Sequence, residues 1–173
     1  TIPAPHAERF RSAEASGRVA AEMAKTKGPK PSEILTPASF RNAQVVMQAI
    51  GGSTNGLIHL TAIANRSPHK IDLAAFDKLG REVPVLVDLK PSGEHYMEHF
   101  HHAGGVPKLM AQLGDLIDLD ARTITGQTLR EVVANAEDVP GQDAIRSKAN
   151  PIKSEGAMAI LHGNLAPRGA VIK

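Results

Sequence analysis

Val83-Pro84-Val85-Leu86-Val87-Asp88-Leu89 is an apolar run interrupted only by one proline and one aspartate. A run of this length, rich in β-branched residues and without polar alternation, predicts a strand buried on both faces. The stretch before it, from about Leu73 to Leu79, reads as a short helix. Helix feeding such a strand predicts an α/β fold class, with helices packed on a small parallel sheet.

Moving toward the N-terminus, Asn65 to Pro68 closes an earlier helix whose apolar stripe is Leu57, Leu60, Ile63 and Ala64, with Ser53 or Thr54 as its cap. Before that, Thr36-Pro37 pairs an N-cap hydroxyl with a proline at the first helical position. Phe40, Ala43, Met47 and Ile50 follow at intervals of three and four, and Gly51-Gly52 ends the helix. Residues 6 to 25 predict a first helix, stopping before Gly28-Pro29 with Lys25 and Lys27 near its negative dipole end.

Toward the C-terminus, the Lys90 to Gly93 loop leads to a polar helical stretch and a Gly104-Gly105 break. A helix then runs from Val106-Pro107 to near Gly114. Thr128-Leu129-Arg130-Glu131 is a capping box, in which hydroxyl and carboxylate each serve one orphan backbone amide. Three parts are expected: residues 1–140 as part of an N-terminal α/β domain, 141–156 as a Pro-, Gly- and Ser-rich linker, and 157–173 as the first strands of a β-barrel-like C-terminal domain.

Composition narrows the function classes. The 173 residues are 42% hydrophobic and 22% charged, enough for one buried core. Basic residues exceed acidic ones by only 20 to 18, without a basic block, and the aromatics are one Tyr and four Phe. A nucleic-acid partner is therefore not expected. Cysteine is absent, which excludes disulfides, a thiol nucleophile and a cluster ligated by this chain's own thiolates. No apolar run reaches the roughly 18 residues of a membrane span, and no signal-peptide pattern opens the chain, so no membrane partner and a cytoplasmic location are expected. The chain starts without Met and ends on the apolar run Val171-Ile172-Lys173, so both ends are expected to be cuts through structure.

Three constellations can carry chemistry. Gly51-Gly52-Ser53-Thr54-Asn55 sets two glycines, two hydroxyls and an amide at a helix start, where free amides and the dipole favour a carboxylate or phosphate. A plain helix corner, with Gly ending one helix and Ser53 capping the next, explains the same residues. Asp88 to Gly93 lies at the C-terminal end of the expected strand, where α/β folds place binding loops; Lys90 suits an anion, and a Pro-Ser-Gly turn with an exposed lysine is the simpler reading. His95, Glu98, His99 and His102 would share one helix face. His95-Tyr96-Met97-Glu98-His99 spells H-x-x-E-H, a zinc-peptidase pattern, although a solvated or interface-forming face accounts for it too.

Taken in order, these segments resemble the dihydroxy-acid and sugar-acid (phosphogluconate) dehydratases. The resemblance rests on Gly51 to Asn55 with His59 and Leu60, on Asp88 to Gly93, and on Tyr96-Met97-Glu98 leading to Ala103-Gly104-Gly105-Val106-Pro107. Thr123-Ile124-Thr125-Gly126-Gln127-Thr128-Leu129 and Gly163-Asn164-Leu165-Ala166-Pro167 to Lys173 complete it. It covers the whole chain as an internal fragment, and residues 2–18 look like the family's segment just after its cysteine-containing stretches. His99 stands where the family usually has an acidic residue, and Ala103-Gly104-Gly105 leans toward the sugar-acid members.

The resemblance implies a hydro-lyase that turns an aldonate or other 2,3-dihydroxy acid into its 2-keto-3-deoxy acid. It also implies an iron-sulfur cluster and Mg²⁺ in the complete enzyme, their ligands outside this segment, and a serine base from a later domain. No catalytic or metal-ligating residue is carried over to this chain, which is expected to be inactive alone. Ser53, Thr54, Asn55, Lys90 and Ser92 are the expected substrate-binding residues. The expected partners are a small hydroxy-acid substrate, the remainder of the dehydratase chain and a second copy in a homo-oligomer. A non-catalytic structural or oligomerisation fragment is the alternative.

Overall fold

Hydroxyl and carboxylate caps set most of the helix starts. In the computed structural model, which describes residues 2–173, the first helix, α1 (Ala7–Thr26), ends where Lys27 takes φ 53 and its amide closes on the Met23 carbonyl. That left-handed conformation is uncommon for a residue with a Cβ. A four-residue helix, α2 (Pro31–Ile34), follows, its start closed by the Lys30 N–H donating to the Glu33 carboxylate at 2.6 Å. It is too short to announce itself by periodicity.

Helix α3 (Pro37–Ala49) opens as its Thr-Pro start predicts: Thr36 Oγ1 accepts from the Ser39 amide at 3.2 Å, and Ser39 Oγ accepts from the Thr36 amide at 2.8 Å. Ser53 caps α4 (Thr54–Ala64) by accepting from the Asn55 amide at 3.2 Å. Asp72 caps α5 (Leu73–Glu82) by accepting from the Ala74 amide at 2.9 Å. Helices α6 (Met97–His102) and α7 (Gly105–Leu113) come next, the latter running into a 3-10 turn at Gly114–Leu116. Thr128 and Glu131 form their reciprocal cap on α8 (Leu129–Ala134). Among the described residues, no helix is long and apolar enough to cross a membrane.

The fold is helix-rich, and the sheet among the described residues is one antiparallel hairpin of β1 (Ala159–Leu161) and β2 (Ala170–Ile172), with Ile160 opposite Val171. The run from Val83 to Leu89 is extended and central but does not form the parallel sheet its composition predicts. It pairs by isolated bridges instead: Val85 with Lys153 and Val87 with Ile145, both antiparallel, and Leu89 with His95, parallel. Its remaining backbone partners include the C-terminal end of α3, whose Ala49 carbonyl accepts from the Leu86 amide at 2.9 Å. An apolar run specifies burial on two faces, yet its neighbours here are helices and the segment 144–153, so no repeating ladder develops.

The main core surrounds that run. Val83, Leu86 and Val87 pack with Val45 and Ala49 of α3, Phe100 of α6, Leu109 and Leu113 of α7, and Ala144 and Ile145. A second cluster joins Leu57 of α4, Phe76 of α5 and Met158 and Ile160 at the hairpin. Two buried polar side chains of α3 tie distant segments to it. Asn42 exchanges two hydrogen bonds of 2.8 Å with the backbone of Asp118, and Gln48 exchanges bonds of 3.1 and 2.9 Å with the backbone of Met158. Buried amides satisfied in this paired manner fix position as well as burial. By contrast α1 buries none of its residues, and Phe10 is 77% exposed.

Candidate functional site

The corner between α3 and α4 begins with Gly51 at φ 66, a left-handed turn open to glycine at no steric cost. Gly52 then closes back on the Met47 carbonyl at 2.9 Å. This geometry aims the N-terminal end of α4 at the loop that follows the central extended run. That loop is tightly tied: the Gly93 amide donates to Leu89 O at 2.8 Å, the His95 amide to Asp88 O at 3.2 Å, and the Lys90 amide to His95 O at 2.9 Å. The Lys90–Pro91 peptide bond is cis.

Corner and loop face each other across two adjoining cavities of about 290 and 470 Å³, which share Ile50, Gly51, Leu89, Pro91 and Lys173. Ser53, Thr54 and Lys90 line the larger one, and Ser92 lines the smaller. Asn55 lines neither; its place is in the cap, where its amide donates to Ser53 Oγ. Four of the five residues picked from the sequence therefore meet at one cleft, although residues 53–54 and 90–92 belong to segments far apart in the chain.

Charge in the cleft is predominantly positive. Lys90 Nζ lies 4.0 Å from the centroid of the Tyr96 ring, a cation–π contact that leaves the ammonium charge in place. Lys173 reaches in from the end of the hairpin and donates to the Gly51 carbonyl at 2.6 Å, and Lys153 joins the wall of the smaller cavity. Asp88 is the one carboxylate on this wall among the described residues, and it accepts from the Glu94 amide at 3.2 Å. Lys90, Lys173 and the α4 N-terminus around the larger cavity, with Lys153 on the adjoining smaller one, favour an anionic small molecule. Lys153 and Lys173 escaped the sequence reading because no local motif marks them; hairpin pairing and the bridge at Val85 bring them in.

The histidine-rich segment is organised differently from its H-x-x-E-H spelling. Helix α6 begins at Met97, so His95 precedes it, with Nε2 3.0 Å from Asp143 Oδ1. His99 Nδ1 accepts from the Tyr96 amide at 3.2 Å and so closes the helix start. Glu98 turns away from both toward His6 and His102, at 3.4 and 3.8 Å. His95 and His99 line a separate shallow cavity of about 420 Å³ together with His102.

Comparison with known proteins gives this cleft its context. A sequence-family model described as dihydroxy-acid/6-phosphogluconate dehydratase N-terminal matches residues 1–132. A dihydroxy-acid dehydratase of Acetivibrio thermocellus is 44% identical over 175 aligned positions, covering 100% of this chain and 31% of that protein. One from Synechocystis sp. is 45% identical over 177 positions with the same coverage, and one from Methylococcus capsulatus is 49% identical over 149 positions, covering 84% of this chain and 26% of its own. The chain thus spans about a third of the length of the curated relatives it matches.

Proposed function

The chain belongs to the dihydroxy-acid/6-phosphogluconate dehydratase family, and from that premise we propose that it is a substrate-binding portion of a hydro-lyase. The complete enzyme removes water from a 2,3-dihydroxy acid to give a 2-keto-3-deoxy acid. The observation that carries the reading is the meeting of the α4 N-terminus with the Lys90 loop over one cationic cleft. Ser53, Thr54, Lys90 and Ser92 hold the carboxylate and hydroxyl groups of the substrate, with Asn55 keeping the Ser53 cap in register. Among the possible acids a sugar acid is the finer proposal, supported by Ala103-Gly104-Gly105 at the join of α6 and α7.

In the complete enzyme an iron-sulfur cluster and Mg²⁺ would supply Lewis acidity for departure of the hydroxyl. This chain has no cysteine, and the groups of three ligating side chains found among its described residues are built around a histidine rather than carboxylates alone. Its residues do not fit either group, so no step is routed through them. The role left to this chain is to bind and orient the substrate anion. The hairpin of β1 and β2 is proposed as the opening of a β-barrel-like domain, residues 1–140 as part of the α/β domain, and 141–156 as the connection between them. The proposed setting is cytoplasmic and homo-oligomeric. A packing or oligomerisation role is the second reading, favoured by the bare surface of α1 with Phe10 and Val19 exposed.

The test uses the complete enzyme with an aldonate and a branched 2,3-dihydroxy acid as substrates. Thr54→Ala and Lys90→Ala should each lower kcat/KM by about tenfold or more, as expected for loss of a charge-assisted contact worth about 1.5–3 kcal/mol. Lys78→Ala, on the exposed face of α5, should leave it unchanged. Near-parental activity in both cleft variants would remove the assignment, and preference for the branched acid would overturn the sugar-acid proposal alone.

A further inference from the structure

We propose that His6, Glu98 and His102 form a binding site for a divalent transition-metal ion of the zinc class, which fastens the start of α1 to α6. His6 is the residue just before α1, while Glu98 and His102 stand one turn apart on α6, so two ligands come from one helix and the third from another. Glu98 Oε1 lies 3.4 Å from His6 Nε2 and 3.8 Å from His102 Nε2, and the three ligand atoms are all within 4.8 Å of one another. A tetrahedral ion with bonds of about 2.0–2.1 Å needs its ligand atoms about 3.3 Å apart. The observed separations require closure of at most one or two ångströms. All three side chains are at least 32% exposed and can rotate to supply it.

The donor set selects the ion. Two imidazole nitrogens and one carboxylate oxygen suit zinc, nickel or cobalt over magnesium or calcium, which prefer oxygen alone, and water completes the fourth position. A second group, His6 with Glu8 and His101, shares His6 and lies beside the first. The Glu98 group is favoured because its helix already presents two ligands in i, i+4 register. Fastening has a structural consequence, since α1 buries no side chain and so has little else to hold its first turn.

The experiment titrates the cysteine-free chain with ZnCl₂ alone by calorimetry, and with CoCl₂ for its visible absorption. Saturable binding of one ion per chain is expected. His6→Ala, His102→Ala and Glu98→Gln should each weaken it at least about tenfold, whereas His69→Ala and His95→Ala should leave it within about twofold. Circular dichroism checks that each variant keeps the parental helix content, and Glu98→Gln preserves side-chain shape should an alanine variant lose it. As a readout of fastening, Zn²⁺ should slow tryptic cleavage at Arg9 and Arg11 in the parent and not in His6→Ala. Absence of saturable binding, parental affinity in His6→Ala, dependence on His95, or dependence on Glu8 and His101 in place of Glu98 and His102 would each overturn the proposal.

Discussion

Replacing Gln48 with leucine should destabilise the chain by about 2–4 kcal/mol. Gln48 is wholly buried, and its amide is the partner of both the Met158 carbonyl, at 3.1 Å, and the Met158 amide, at 2.9 Å. Met158 is itself only 3% exposed, so leucine strands one buried donor and one buried acceptor. Each orphaned group costs about 1–3 kcal/mol, and the apolar replacement recovers a fraction of that by burial. Water cannot easily substitute: a Cβ on Gly80 would lie 2.7 Å from Gln48 Nε2, and one on Gly156 2.6 Å from Oε1, so the side chain fills its slot. Urea unfolding followed by circular dichroism measures the loss, and a change under about 0.5 kcal/mol would refute the reasoning. Gln48→Glu gives an independent check on the acceptor. Ionised, it repels the Met158 carbonyl; protonated, it can donate to it, and burial favours the protonated form in the fold. That variant should therefore gain stability as pH falls from neutral toward 5, and a pH-independent deficit would argue against the paired geometry.

Asp77 links α5 to the hairpin, with Oδ1 accepting from the Ile160 amide at 2.8 Å and Oδ2 3.1 Å from Arg81 Nη2. The Ile160 hydrogen bond foremost, and then Arg81, hold its carboxyl below the usual range. A depressed carboxyl contributes stability that is present above the unfolded value of about 3.9 and lost as pH falls through the folded value. Unfolding measured from pH 5 downward should show a shallower acid loss in Asp77→Asn than in the parent; identical slopes would dismiss Asp77 as a contributor. Thr128→Ala removes the hydroxyl that accepts from the Glu131 amide at 3.3 Å and should cost about 1 kcal/mol. The same denaturant titration would show it, and a neutral result would mean that the Glu131 half of the box carries α8.

What was legible in the sequence is what is local. Thr36, Ser53 and Thr128 cap the helices their positions imply because a cap is satisfied within two or three residues, and nothing distant is needed to decide it. The burial of Val83 to Val87 was legible for the same reason, since composition alone sets it. Its partners were not. The backbone of that run is met by residues 144–153 from a stretch whose prolines, glycines and polar residues read as a connection, and hydrogen bonding to such a stretch leaves no periodic trace. Asn42 and Gln48 were hidden likewise: a polar residue on an amphipathic helix reads as solvated unless the backbone it serves, here 76 and 110 residues away, is known.

The cleft inherits both kinds of determination. Its corner and its lysine loop are local motifs, but Lys173 joins them across 122 residues only because β2 lies in register with β1. Register is held in part by Gln48 at Met158, the residue just before β1, and by Asp77 at Ile160, in the middle of β1. Gln48 also sits in the last turn of α3, three residues before Gly51. One buried amide thus positions both the backbone carbonyl that Lys173 binds and the strand pair that delivers Lys173. Loosening it should move that lysine before it unfolds the core. In Gln48→Leu, binding of a carboxylate ligand in the cleft should therefore weaken under conditions where the main core around Phe100 and Leu109 is still intact.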